Sequence, residues 1–239
     1  MGMVDSVVTV NRACERLFAS RSCPAEKITV IMNSPDESIF PYRPPVSRPV
    51  RQVEEKHFVI MYHGSLLERN GLDLAIDAFA RVHRSIPNAE LRIYGERNDF
   101  LDQVMNSVQN QELQNAVHYL GPKTTEEIVK AIEQCDVGVV PNRRNVFTEL
   151  NTPTRIFEYL SLGKAVIAPR APGICDYFDE DSLIFFELGS SEDLARKIEY
   201  VFDNPDRVMN IIRNGQTVHN IHPWRREKLK LTRLVAELL

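Results

Sequence analysis

The sequence predicts an α/β protein built on a doubly wound parallel sheet, Rossmann-like, with helices on both faces. Short apolar runs and helical periodicity alternate about six times after residue 57, which is the pattern of parallel strands joined by helices. The run from Phe58 to Tyr62 is apolar throughout, as in a strand buried on both faces. Hydrophobic residues form 43% of the 239 residues, which is enough for a core of that size.

The predicted elements follow one another in a regular order. Before residue 33 we expect a strand at 6–10, a helix at 12–19 and a strand at 27–32. Four prolines between residues 41 and 49 exclude a helix interior or a central strand there. The strands expected after the prolines are 58–62, 91–94, 117–120, 137–140, 165–168 and 183–186, and the helices are 72–83, 100–108, 124–134, 153–162, 191–203, 205–218 and 224–238.

This order predicts three regions of different character. Residues 1–32 are too few to hold a hydrophobic core of their own, so we expect them to be the last part of a larger upstream domain. The proline-rich residues 33–56 are expected to be an interdomain linker, and residues 57–239 to be the main domain.

Composition and simple motifs exclude several classes of protein. The net charge of −4 gives no indication of a nucleic-acid partner. No apolar stretch is long enough to cross a membrane, and the four cysteines form no C-x-x-C pair, so reduced thiols in a cytosolic protein are expected. The G-x-G-x-x-G and Walker A patterns are absent, so neither a nicotinamide nor a flavin cofactor is predicted. We expect no cofactor.

The stretch from Asn151 to Ala168 carries the strongest indication of a binding site. Thr152 is a suitable N-cap and Pro153 a suitable first helical residue. The N–H groups expected to be free at residues 153–155, together with the dipole at such a helix start, favour an anion such as a diphosphate. Glu158, one turn beyond Thr154, can accept hydrogen bonds from vicinal hydroxyls, as on a ribose. From these residues alone, an ordinary capped helix with a surface glutamate is the simpler interpretation.

Several motifs, taken in their order along the chain, favour a binding site over an ordinary capped helix. The segment Tyr62–Asp73 has an apolar strand, a glycine and a helix opening; Leu91–Gly95 resembles L-x-I-x-G, and Val117–Gly121 resembles V-x-F-x-G. The stretch Pro153–Ala168 resembles P-x-K-x-x-E-Y-x-x-x-G-K-P-V-I-A, and Asp5–Asp36 resembles the end of an acceptor domain with its linker. Over nearly the whole chain, the sequence therefore resembles the C-terminal half of retaining GT-B fold glycosyltransferases of family four, the glycosyl transferases group 1.

The resemblance implies binding of a nucleoside diphosphate sugar and transfer of the sugar with retention, without a metal. Glu158 would bind the ribose, and Arg69 would contact the phosphates beside the turn formed by Gly64 and Ser65. The loop with Gly121 and Lys123 would contact the base of the nucleotide. The sequence leaves open whether that nucleotide is UDP, GDP or ADP. The remaining residues implied in donor binding are Gly95, Arg143, Asn151, Thr152, Pro153 and Thr154.

The chain departs from the family pattern at charged positions. Leu150 occupies the place of the usual first glutamate, and Glu149 lies one residue out of register, so whether Glu149 replaces it stays open. Ser65 and Asn70 stand where an arginine and a lysine are usual, and Arg69 can supply one of those charges. Glu149 and Arg69 are therefore the candidate catalytic residues. We expect the chain to be inactive in transfer without an N-terminal acceptor domain.

Two other functions use the same fold. A nucleotide-sugar epimerase would need acid and base groups in the crevice, where His63, Glu96 and Glu149 are available. A non-catalytic nucleotide-sugar-binding module would need none. The last helix, from 224 to 238, is basic and amphipathic, which allows peripheral membrane contact of the full-length enzyme; the resemblance instead predicts packing toward the N-terminal domain.

Overall fold

Parallel strands dominate the computed structural model, which describes residues 4–46 and 57–238. Two short strands, β1 (Val7–Thr9) and β2 (Ile28–Val30), pair with each other in a separate small sheet. The other strands are β3 (Phe58–His63), β4 (Ala89–Tyr94), β5 (Val117–Tyr119), β6 (Val137–Val139), β7 (Ala165–Pro169) and β8 (Ile184–Phe186). They form one six-stranded parallel sheet in the order β5-β4-β3-β6-β7-β8. The predicted fold class is confirmed.

Helices connect these strands and surround the sheet. They are α1 (Arg12–Ser20), α2 (Leu72–Ser85), α3 (Asp99–Asn110), α4 (Thr125–Gln134), α5 (Val146–Leu150), α6 (Thr154–Ser161), α7 (Pro172–Cys175), α8 (Ser191–Asp203), α9 (Pro205–Ile221) and α10 (Trp224–Leu238). Thr124 and Glu127 form a capping box at the start of α4, in agreement with their T-x-x-E spacing. Helices α5 and α7 were not predicted, because four or five residues are too few to display helical periodicity.

The core lies between the central strands and the helices packed on them. Every residue of β3 is buried, in agreement with its continuous apolar run. Tyr62, Phe79 and Phe157 are among the largest fully buried side chains. Aromatic side chains of this size bury much apolar surface each, so they contribute strongly to holding the helices against the sheet.

The first part of the predicted linker is docked on the main domain. The Arg43 N–H donates to Ser161 O at 2.7 Å, and Gln216 Nε2 donates to Arg43 O at 2.7 Å. Phe40 is buried in the core. Residues 47–56 of the predicted linker lie outside the described residues, and the division at residues 32 and 56 stays a prediction.

The final helix is attached to the amino-terminal segment by a buried carboxylate. Glu227 accepts hydrogen bonds from the Met32 N–H at 3.0 Å and from Lys230 Nζ at 2.7 and 2.8 Å. Burial tends to raise the pKa of Glu227, but the hydrogen bonds from Lys230, Met32 and His222 outweigh it and lower the pKa. Among the described residues, no helix combines the length and apolar character needed to cross a membrane.

Candidate functional site

The sheet has a topological switch point between its two central strands. Strands β3, β4 and β5 follow one another outward on one side, and β6, β7 and β8 on the other. In such sheets ligands bind at the carboxyl ends of the strands near the switch point. The Gly64–Ser65 turn after β3 and the Pro141–Arg143 loop after β6 both lie at that edge, and Arg143 N–H donates to Arg69 O at 2.9 Å.

A cleft of about 330 Å³ opens at the carboxyl ends of β3 and β4. Four residues that the sequence predicts in the site line it: Gly64, Ser65, Gly95 and Lys123. Gly121 joins them through its backbone, because the Gly95 N–H donates to Gly121 O at 3.2 Å. The remaining lining residues are His63, Leu66, Tyr94, Glu96, Asn98, Pro122 and Ile128. A separate cavity of about 120 Å³ lies at the amino ends of the strands, near Phe58 and Ala165, on the opposite edge of the sheet.

Glu158 is held in place at this edge by the last residue of β3. Its Oε2 lies 2.6 Å from His63 Nε2, and only 17% of the glutamate side chain is exposed. The other ring nitrogen, His63 Nδ1, lies 2.8 Å from the Tyr159 hydroxyl, and that hydroxyl donates its hydrogen to Met61 O at 3.0 Å. The Glu158 side chain is therefore turned toward the end of β3 and not toward bulk water.

Burial controls the protonation of this cluster. It lowers the pKa of His63, although the hydrogen bond and the charge of Glu158 raise it, and the nearby Arg155 lowers it further. Burial also raises the pKa of Tyr159 well above its ordinary value. Burial thus favours the neutral form of His63.

The start of α6 differs from the prediction in two details. Thr152 is not the N-cap: its hydroxyl donates to Gly173 O at 2.7 Å, and Pro153 occupies the N-cap position. Proline carries no N–H, so the N–H donors predicted over 153–155 are reduced to those of Thr154 and Arg155. These two amides have no hydrogen-bond acceptor within the described part of the chain. The helix start is therefore open, with two donors instead of three.

The predicted cationic residues are not equally available. Arg143 is paired with Asp73, with its Nε 3.1 Å from the carboxylate, and the pKa of Arg143 is raised chiefly by that hydrogen bond. Lys123 Nζ lies 3.9 Å from a glutamate one turn along α4. Arg69 forms no ion pair within the described residues, and its guanidinium lies 5.2 Å from the Phe147 ring centre. Of these three, Arg69 is the cation left for an anionic ligand.

Glu149 and Asn151 lie on the segment that leads to α6. Glu149 Oε1 accepts from Arg144 Nη1 at 3.2 Å, so this carboxylate is neutralised by a neighbour. The side-chain oxygen of Asn151 is buried and finds no donor among the described residues. An unsatisfied buried acceptor of this kind can be satisfied by a ligand hydroxyl.

The described residues contain no group of three or more His, Cys, Asp or Glu side chains placed to hold a metal ion. Two acidic side chains of the turn that begins at Asp179 are bonded to other residues of the chain. Ser182 Oγ donates to Asp179 Oδ1 at 2.6 Å, and Glu180 forms an ion pair with Arg170 at 2.6 Å. These contacts are those of an acidic turn that precedes a strand.

Two residues that contact the site were not predicted. Arg155 Nη1 donates to His63 O at 2.7 Å, and its guanidinium lies 5.1 Å from the Tyr62 ring centre. Arg155 occupies the lysine position of the P-x-K-x-x-E pattern, and this match could have indicated that it belongs to the site. Asn11 donates to Leu150 O at 2.7 Å from 139 residues away. No local pattern in the sequence indicates such a contact.

Solved structures share this fold. The chain matches Anabaena HepE, solved in complex with UDP and glucose, with a TM-score of 0.81, 19% identity, and coverage of 98% of this chain and 64% of HepE. It also matches the C-terminal domain of a glycosyl transferase group 1 protein from Francisella tularensis, with a TM-score of 0.62, 18% identity, and coverage of 79% of this chain and 97% of that domain. Identities this low show the fold alone.

Curated relatives and a family model give the assignment. The phosphatidylinositol N-acetylglucosaminyltransferase GPI3 subunit of Saccharomyces cerevisiae is 23% identical over 212 residues, which cover 88% of this chain and 44% of the yeast protein. The amylovoran biosynthesis glycosyltransferase AmsK of Erwinia amylovora is 22% identical over 180 residues, 74% of this chain and 42% of AmsK. The chain thus spans less than half the length of these relatives. The family model described as glycosyl transferases group 1 matches residues 45–218, and the chain belongs to that family.

Proposed function

We propose that residues 57–239 bind a nucleoside diphosphate sugar and form the donor half of a retaining glycosyltransferase. UDP is the nucleotide we infer, because the structural neighbour HepE was solved with UDP and with UDP-glucose. The observation that carries the proposal is the placement of Glu158. A carboxylate held by His63 at the switch point, one turn from an open helix start, can accept the two hydroxyls of a ribose.

The neighbouring groups suit the diphosphate. The N–H groups of Thr154 and Arg155 and the positive end of the α6 dipole favour negative charge. Arg69 adds a guanidinium that is not neutralised by a carboxylate of the described chain. As the bond to the sugar breaks, charge develops on the departing diphosphate, and donors already in place stabilise it without a metal.

The base would lie in the cleft beyond the β3 and β4 ends. Its lining combines apolar side chains with the polar groups of Asn98 and Lys123, which is the usual composition of a small-molecule site. Asn151, with its unsatisfied buried oxygen, is placed on the segment that would meet the sugar. Glu149 would act only if it exchanged its Arg144 partner for substrate.

The acceptor would be bound by a second domain to which residues 1–32 belong. The small unit of β1, α1 and β2 exposes Val4, Val8 and Val10, and α10 exposes Leu229 and Val235. An acceptor domain packed on these surfaces would cover apolar area that otherwise faces water. Closure of the two domains would exclude water from the donor. We therefore expect this chain to bind donor but to transfer no sugar by itself.

The epimerase alternative is weaker on this geometry. His63 is buried and hydrogen-bonded at both ring nitrogens. Glu149 is paired with Arg144. An epimerase needs groups that are free to exchange protons with a sugar, and of the three candidates only Glu96 lines the cleft without a described partner.

Glu158→Ala tests the nucleotide site. The substitution removes the acceptor for the ribose hydroxyls, so we expect UDP affinity to fall at least tenfold, about 1.4 kcal/mol, in calorimetric titration. Glu192→Ala, at an exposed ion pair on α8, is the matched control and should leave the affinity unchanged. Equal UDP affinity in the Glu158 variant and the control would remove Glu158 from the site.

Arg69→Met tests the phosphate assignment. Loss of a guanidinium that faces the diphosphate should weaken UDP more than uridine, because the nucleoside carries no phosphate. Arg196→Met, on the exposed face of α8, is the corresponding control. Equal losses for UDP and uridine would contradict the phosphate role.

A further inference from the structure

Asn11 connects the amino-terminal unit, formed by β1, α1 and β2, to the segment that precedes α6 in the proposed donor site. It is fully buried and is the N-cap of α1, where its Oδ1 accepts from the Cys14 N–H at 2.8 Å. A cap of this kind uses only the side-chain oxygen. The amide nitrogen is free for another role, and it donates to Leu150 O at 2.7 Å and to Thr152 Oγ1 at 3.1 Å.

Both acceptors belong to residues 150–153, the last residue of α5 and the three residues that lead to α6, which we call the donor loop. The other side of the donor loop is held by α7. The Thr152 hydroxyl donates to Gly173 O, and a Cβ at Gly173 would lie only 2.3 Å from Leu150 O. The α7 backbone therefore lies directly against the donor loop, and Asn11 closes the opposite side.

The same unit also contacts α7 directly. The Arg12 N–H donates to the Tyr177 hydroxyl at 3.0 Å, just beyond the end of α7, and Arg16 pairs with Asp176 at 2.8 Å. Helices α1 and α7 are thus linked to each other as well as to the donor loop. The exposed ion pair contributes little to rigidity, whereas the hydrogen bonds of buried Asn11 have no water to replace them.

The donor loop determines where the two open N–H groups of α6 point. Thr154 and Arg155 follow it directly, so the orientation of its peptide planes sets the direction of their N–H bonds. We propose that Asn11 is a positioning residue, which aligns the donor loop for the diphosphate and couples donor binding to the docking of the amino-terminal unit. This inference rests on the proposed function.

Two substitutions separate positioning from capping. Asn11→Asp and Asn11→Ser both keep a good N-cap for α1, and both lose the two hydrogen bonds donated to the donor loop. The serine variant introduces no charge near the diphosphate. In both variants we expect UDP affinity to fall about tenfold, while uridine affinity changes less than twofold, because uridine does not use the donor loop.

Ser190→Ala is the control for general loss of stability. It removes the N-cap of α8, far from the cleft, and should lower the melting temperature without changing either affinity. Unchanged UDP affinity in Asn11→Ser, or equal losses for UDP and uridine, would overturn the positioning role.

A second measurement keeps this inference separate from the proposed function. Hydrogen exchange of the Asn151 amide, which donates to Phe147 O at 3.0 Å, should be faster in Asn11→Ser than in the unmodified chain, whether or not a nucleotide binds. If the unmodified chain binds neither UDP nor a UDP-sugar, the proposed function fails. The exchange rates still test the positioning role of Asn11 in that case, and unchanged protection of the donor loop would overturn it.

Discussion

Replacing Gly138 by alanine tests the contact on which the site geometry depends. Gly138 is in the middle of β6, between β3 and β7, and the Tyr159 ring of α6 lies against it. A Cβ at this position would lie 2.2 to 2.4 Å from three ring atoms of Tyr159. Carbon atoms in contact are normally about 3.5–4.0 Å apart, so strand and helix would have to separate by more than about 1 Å.

Tyr159 cannot move aside to make that room. Its side chain is fully buried, and its hydroxyl is held between His63 Nδ1 at 2.8 Å and Met61 O at 3.0 Å. Overpacking of this kind costs about 1–3 kcal/mol. In a chain of 150–250 residues this corresponds to a fall of roughly 2–12 °C in melting temperature. UDP affinity should fall as well, because α6 carries Glu158 next to Tyr159.

A double-mutant cycle identifies the cause. Tyr159→Leu removes the ring atoms that the new methyl would meet, so Gly138→Ala should cost far less in that background. Urea unfolding of the four proteins, followed by circular dichroism, gives the coupling free energy. Additive effects within about 0.5 kcal/mol would refute the packing argument.

Three further changes test other parts of the structure. Thr124→Ala removes the α4 capping box and should cost about 1 kcal/mol in urea unfolding; no loss would contradict the cap. Burial lowers the pKa of His219, so the unfolded chain takes up a proton at higher pH than the folded chain does, and stability should fall as pH drops below about 6.5. His219→Phe should reduce that pH dependence, and an equal dependence in urea unfolding would refute it. Arg143→Met should weaken UDP binding less than Arg69→Met in calorimetry, because Asp73 already neutralises Arg143; the reverse order would assign the phosphates to Arg143.

The regular parts of the fold were predictable because their signals are local. The continuous apolar run of β3 and the Thr124 capping box each depend on neighbouring residues, and the structure contains both. The predicted helix at 153–162 is present as Thr154–Ser161. Its N-cap was predicted one residue early, because the Thr152 hydroxyl bonds Gly173, a partner that no local pattern indicates.

Charged residues of the site illustrate the limit of such signals. Arg69 and Arg143 are both candidates in the sequence, since each is an arginine in a loop after a strand. Only the folded chain brings Asp73 onto Arg143 and leaves Arg69 beside the Phe147 ring. Pairing with a carboxylate depends on side chains from different loops, and spacing along the chain does not encode it.

The sequence by itself determined the parallel α/β architecture, the family, and Glu158 as the candidate ribose acceptor, because hydrophobic periodicity and motif spacing are properties of neighbouring residues. The tertiary structure alone decided what holds that acceptor in place and what supports the donor loop. His63 lies 95 residues from Glu158, and Asn11 lies 139 residues from Leu150. Hydrogen bonds over such separations depend on the tertiary arrangement of the whole chain, so no local pattern in the sequence indicates them.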